Sequence, residues 1–164
     1  MTSLKDNWES PAWVWEELVE FLGLHEKTIW EPFVSPSLSS VKAMENAGVT
    51  VVATRDNFFN TSPPEYDVLM STPMWSRKLD VLERALSFGK PFVMLFPLPV
   101  IAAQKYMKLL IRHNVNLHII FPSARVKYFN PATNQPAHHA NETVVLAHGF
   151  DIPLLTYLKR PTSL

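Results

Sequence analysis

The sequence predicts an open α/β fold: a mainly parallel β-sheet with helices on both faces. Three observations carry this. Apolar, β-branched runs alternate with helical periodicities along most of the chain, the pattern of a parallel sheet wrapped by its own crossovers. The run Pro91 to Leu98 (PFVMLFPL) is apolar almost throughout, as a strand must be when helices cover both its faces. The 164 residues, 47% hydrophobic and 18% charged, form an ordinary globular composition, sufficient for one sizeable core. A single domain over residues 1–164 is expected, with no internal linker and no repeat.

The elements follow in order. Ser10-Pro11 is expected to open the first helix, a hydroxyl cap followed by proline where its missing N–H costs nothing. Trp13, Leu18, Phe21 and Leu22 would give that helix its apolar face, and Gly23 would end it. Thr28 to Val34 reads as a strand, SLSSVKAMENAG as a short helix closed by Gly48, and Val49 to Thr54 as a β-branched strand. YDVLMS is the next strand. The helix after it is capped by Ser76, lined by Leu79, Leu82 and Leu86, and stopped by Gly89. Residues 99–113 are expected as a helix with Tyr106, Leu110 and Ile111 toward the core. VNLHIIF is a strand, and Pro122 to Glu142 is a long loop with rich turn chemistry, functional or mobile. TVVLAHG is the closing strand.

Several function classes are excluded or unsupported. There is no cysteine, so disulfides and thiolate metal sites are out. His138-His139 has no acidic partner at ligand spacing, and no metal is expected. Fifteen basic residues balance fifteen acidic ones, so nucleic-acid binding would need local clustering. Lys105, Lys108 and Arg112 along one helix face read as a solvated surface. The N-terminus lacks an apolar signal core and no run approaches a membrane span. The expectation is a soluble intracellular protein without membrane partners, of unspecified oligomeric state. No Ser-His-Asp grouping or phosphate-binding loop supports a hydrolase or an NTPase.

Binding sites in open α/β sheets lie beyond the carboxyl ends of the strands, which places EPFVSPS, TRDNFF, STPMWS and FPLPV along one rim. The segments DNWESPAWVWEEL, WEPFVSPS, YDVLMSTPMWS, GKPFVMLFPL and FPSARVKYFNP, in that order and over residues 6–149, resemble the small phage-type S-adenosylmethionine-dependent DNA adenine methyltransferases. The resemblance implies a Rossmann-like, class I methyltransferase-like sheet with an antiparallel last strand, and S-adenosylmethionine as cofactor, contacted by Ser10, Pro11, Glu31, Pro32, Phe33, Ser35 and Asp56. It implies a catalytic rim at Thr72, Pro73 and Trp75. Nucleic acid would be contacted from the 122–142 loop by Arg125, Lys127, Tyr128 and Asn130, where cations interleave with aromatic rings.

Two motifs depart from the family pattern. The paired glycines after the first strand are here Ser35 and Ser37, flanking Pro36. A positive φ forced on either serine would cost about 1 kcal/mol. The Asn/Asp-Pro-Pro-aromatic motif is Thr72-Pro73-Met74-Trp75. In that motif a side-chain oxygen and the first proline's carbonyl accept the two N–H bonds of adenine's exocyclic amine, favouring a pyramidal, nucleophilic nitrogen, while the aromatic ring stacks on the extruded base. Thr72 is shorter than asparagine and can donate as well as accept.

The residues themselves leave alternatives open. Ser35 or Ser37 could cap the next helix, and Asp56 and Asn57 could be turn formers. Trp75 could be core, and Arg125 and Lys127 a solvated edge. Two functions therefore stand: methyl transfer to a nucleic-acid amine, or a catalytically inactive scaffold that binds nucleic acid or a protein partner.

Overall fold

The computed structural model describes residues 8–137 and 141–160. Alternation within the strands sets its layers. In β4 (Phe92–Pro97) all six residues are buried. Phe92, Met94 and Phe96 belong to one core cluster, Val93 and Leu95 to the other, because successive side chains leave a strand on opposite faces. The parallel strands β1 (Thr28–Glu31), β2 (Thr50–Ala53) and β3 (Val68–Ser71) complete this half of the sheet.

Beyond β4 the sheet becomes mixed. β6 (Thr143–His148) runs antiparallel to both β4 and β5 (His118–Phe121), giving the order β2-β1-β3-β4-β6-β5-β7. The expected antiparallel strand is thus β6. It does not close the chain, however, because a three-residue strand, β7 (Leu155–Tyr157), follows and pairs parallel to β5 at the edge. α1 (Ala12–Leu22) and α2 (Ser39–Asn46) fill the core on one face. α3 (Lys78–Ser87) and α4 (Gln104–His113) fill the other. Among the described residues no helix is long and apolar enough to cross a membrane.

Four local expectations are corrected. Ser10 does not cap α1: the cap position is Pro11, with no side-chain cap bond, and the Ser10 hydroxyl turns instead to Thr72. The face that α1 buries is Val14, Trp15, Leu18 and Val19, with Trp13, Phe21 and Leu22 packed at its margin. Ser76 lies inside a single 3₁₀ turn, Trp75–Arg77, and α3 starts at Lys78 without a side-chain cap. The expected helix over 99–113 is two pieces, a 3₁₀ turn Leu98–Ala102 and then α4, separated by an extended Ala103 at ψ 135°. That break resets the helical phase. Tyr106 and Leu109 face the core, while Ile111 is 76% exposed.

Candidate functional site

A cleft of about 620 Å³ opens at the carboxyl ends of β1, β2 and β3, the rim where an open α/β sheet places its ligands. Phe33, Phe58 and Phe59 supply its aromatic lining, with ring centroids 4.9 Å apart for Phe33–Phe58 and 5.6 Å for Phe58–Phe59. The Arg77 guanidinium lies 3.9 Å over the Phe59 ring and pairs with Asp80. Asp56, Thr72, Ser35 and Glu9 bring polar atoms to the same space. Asp56 is exposed after β2, and Asn57 does form the expected turn, its Oδ1 accepting the Phe59 N–H at 3.0 Å.

Beneath the cleft, β1 ends on Glu31, which is 1% exposed. Its carboxyl accepts hydrogen bonds from the Ser71 hydroxyl, the Phe33 N–H at 2.9 Å and the Ser40 side chain. These donors favour the ionised form, but burial outweighs them and pushes the carboxyl up to about 7, because a carboxylate withdrawn from water loses its hydration. Pro32 is buried beside it. Glu31 therefore fastens the turn after β1 to the end of β3.

The serine turn is built differently from its glycine counterpart. Neither Ser35 nor Ser37 has positive φ; that conformation falls on Leu38, at φ 58°. The Leu38 N–H closes the turn on the Ser35 carbonyl at 3.1 Å, and Ser37 Oγ accepts the Ser39 N–H at 3.2 Å, just ahead of α2. Neither serine caps α2, whose cap position is Leu38 without a side-chain cap bond, and Ser35 lines the cleft.

The segment 8–10 is a strap across this rim. Glu9 is 7% exposed, and its two carboxylate oxygens accept the hydroxyls of Ser37, at 2.5 Å, and Ser39. Ser10 Oγ stands 2.6 Å from Thr72 Oγ1. The Glu9 backbone bonds both ways with Phe129, at 2.9 and 3.1 Å. One short strap therefore joins the turn after β1, the turn after β3 and the 122–142 segment. Pro11, the cap position of α1, follows immediately behind it.

In the turn after β3, Pro73 is buried and Thr72 and Met74 face the cleft. Trp75 is half-buried and lies outside the cleft lining. Its Nε1–H donates to the Leu95 carbonyl at 3.1 Å, and its ring meets Tyr128 edge-on at 5.1 Å.

The 122–142 segment carries less free surface than its sequence suggests. Tyr128 is corrected from a nucleic-acid contact to a core residue: it is 4% exposed, its hydroxyl bonds Thr143 at 2.9 Å, and burial pushes the pKa of that hydroxyl up. Neither ring face is offered to a base. Asn130 is a turn former, its Oδ1 accepting the Ala132 N–H at 2.9 Å. Arg125 is exposed and pairs with Glu142 at 3.0 Å, and Lys127 is exposed. Among the described residues no cluster of histidine, aspartate and glutamate could hold a metal ion; His138 and His139 lie outside them.

Sequence reasoning missed Glu9, the Phe58–Phe59 pair and Arg77. The double phenylalanine next to the rim was a readable signal. Glu9 was not, since its partners are thirty residues away.

No family model and no curated protein matches the sequence. Solved structures do match in fold. A protein assigned as an RNA methyltransferase from Pyrococcus horikoshii superposes with a TM-score of 0.53 at 9% identity, over 83% of this chain and 81% of the other. A dimethyladenosine transferase from Plasmodium falciparum gives 0.50 at 11% identity, over 84% of this chain and 61% of the other. A protein assigned as the modification subunit of a type I restriction enzyme from Vibrio vulnificus gives 0.55 at 10% identity, over 99% of this chain and 49% of the other. The seven-stranded mixed sheet, parallel through β1–β4 with antiparallel β6 inserted before β5, is the class I methyltransferase fold.

Proposed function

We propose that the protein binds S-adenosylmethionine in the cleft and transfers a methyl group to an amine of a nucleic acid presented at Thr72–Trp75. The observation that carries this reading is the composition of the cleft. An adenosyl group needs a flat apolar surface and a polar partner for its ribose hydroxyls. Phe33 and Phe59 provide the first, backed by the buried Phe58, and Asp56 provides the second, within a space of about 620 Å³ at the ends of β1 and β2. The fold of the chain and the five segments that resemble the family support the same assignment.

When bound, S-adenosylmethionine supplies an electrophilic methyl group on a sulfonium. The chain's own contribution lies in the rim. The Pro73 carbonyl and the Thr72 hydroxyl accept the N–H bonds of the incoming amine, which frees its lone pair for attack. Ser10, 2.6 Å from Thr72, acts as a positioning residue. When Ser10 accepts the Thr72 proton, the Thr72 lone pairs are left for the amine. Trp75 holds the turn against β4 through Leu95, keeping these acceptors in register. Exposed Arg125 and Lys127 are the cations assigned to the phosphate backbone.

A second reading, a catalytically inactive scaffold that binds nucleic acid or a protein partner, is favoured by one feature. The Glu9 carboxylate, bonded to Ser37 and Ser39, stands at the turn where the family carries glycines. Calorimetric titration with S-adenosylmethionine and S-adenosylhomocysteine separates the two. The first reading expects micromolar binding, and a folded protein that binds neither ligand supports the scaffold.

A further inference from the structure

Among the described residues the large apolar side chains most open to solvent gather in two places: Met107 and Ile111 on α4, and Leu154, Leu155 and Tyr157 at β7. Such clustering, unlike scattered exposed leucines, marks an interaction surface. Leu155 stands beside Ile119 and Tyr157 beside Phe121 in the parallel β5–β7 register, and the Tyr157 ring stacks on Phe121 at 4.9 Å. Ile119 and Phe121 belong to the cluster that α4 covers, so both places lie on one face of the sheet. α4 turns Arg112 and His113 to Glu83 of α3. Helical spacing then puts Met107, Leu110 and Ile111 on the opposite flank, toward the β5–β7 edge, where they line a groove of about 400 Å³.

β7 is also the outer strand of the sheet. Its inner backbone groups are taken by β5: the Ile119 N–H donates to the Leu154 carbonyl at 2.7 Å, and the Leu158 N–H to the Phe121 carbonyl at 2.9 Å. Backbone groups alternate edges along a strand, so Leu155 and Tyr157 direct theirs outward. Among the described residues nothing pairs with those groups. β7 carries none of the charges that keep exposed edges apart, and the buried hydroxyl of its central Thr156 has no hydrogen-bond partner.

We infer that β7 is the interface for a second copy of this chain: two β7 strands pair antiparallel across a two-fold axis at Thr156 and join their sheets into one. Register and symmetry agree on this. Such an axis sets Leu155 opposite Tyr157 of the second copy, in a pair that exchanges both backbone bonds. Those are the outward groups that each strand leaves open. Thr156 meets its own copy at the close, non-hydrogen-bonded position, where threonines bond across strands, and a rotation about χ1 gives its hydroxyl a partner. Charge selects the antiparallel sense. Exposed Asp151 precedes β7, and exposed Lys159 and Arg160 follow it, so the cations of each copy come beside the aspartate of the other. Parallel pairing would set like charges together. The antiparallel sense also turns the two clefts to opposite rims of the joined sheet, so both stay open and the inference is independent of what the cleft binds.

Sedimentation velocity of the full chain across a range of protein concentration, with hydrogen exchange at the Leu155 and Tyr157 amides, tests this. The expected result is a particle of twice the monomer mass, whose two amides exchange more slowly as it forms. Leu155→Lys, at a side chain already half open to water, sets like charges at the joint and is expected to weaken association by about tenfold or more. Thermal melting confirms that the variant folds. A monomer at every concentration overturns the inference and leaves the face to an extended segment of a different protein. A dimer whose two amides exchange as fast as in the monomer overturns it too, as does a dimer that Leu155→Lys leaves intact. Should that variant fail to fold, the wild-type amides decide alone: slowed exchange in the dimer supports the two-fold pairing, and unchanged exchange refutes it.

Discussion

The turns after β1 and after β3 sit side by side on one rim and are held by different physics. The turn after β1 is fastened by carboxylates: Glu31 gathers Ser71, Phe33 and Ser40, and Glu9 gathers Ser37 and Ser39. The turn after β3 is fastened by rings, with Trp75 bonded to Leu95 and Tyr128 set against its edge. Charge-held geometry responds to pH and to ligands that carry charge. Ring-held geometry responds to lost volume. The contrast fits a division of labour in which one turn adapts to a ligand and the other provides a fixed edge.

The largest expected effect tests the carboxylate side. Glu31 titrates near 7 in the fold against an ordinary value of 4.5, so the folded state holds this proton more tightly than the unfolded one. The corresponding stability is fully present below about 4.5 and is lost as pH rises through about 7. The loss is worth about 3 kcal/mol. Urea unfolding of wild type and Glu31→Gln at pH 5 and pH 8 should show it in the wild type alone. Equal pH dependence in both proteins would mean that Glu31 is not the buried titrating group.

On the ring side, Trp75→Ala should lower stability by about 2 kcal/mol, less than a fully buried tryptophan would. The loss should be equal at pH 5 and pH 8. A pH-dependent loss would merge the two turns into one network. Tyr128→Phe removes only the hydroxyl that bonds Thr143 and should cost about 1 kcal/mol while leaving binding of S-adenosylhomocysteine unchanged. A large change in that binding would show that the ring side reaches the cleft. The smallest effect is at Leu38, whose positive φ closes the serine turn. Leu38→Asn, which tolerates this conformation, should raise stability by about 0.5 kcal/mol. A loss in the melting assay would show that the leucine side chain matters more than its backbone.

How much was legible depended on the range of the interactions. β4 announced itself because a strand covered on both faces needs an unbroken apolar run, and six buried residues answer to that run. The rim was located because β1 and β3 end at Glu31 and Ser71, immediately before the two departing turns. β7 escaped notice because three residues, two of them exposed, carry no pattern of their own. Ile111 was misplaced because one extended residue, Ala103, restarts the helix, and a periodicity counted across that break points to the wrong face. Tyr128 looked like a surface aromatic among cations until Thr143 and Trp75 claimed it.

The sequence by itself determined the α/β alternation, the apolar central strand and the rim on which chemistry would lie, since all three follow from local periodicity and chain direction. Only the tertiary structure decided that Ser10 meets Thr72, that Glu9 closes on Ser37 and Ser39, and that Glu31 keeps its proton to about 7. Each depends on bringing polar groups together from distant parts of the chain and removing their water. Hydrogen bonds and charges in a fold are set by that proximity and burial, which no local pattern encodes.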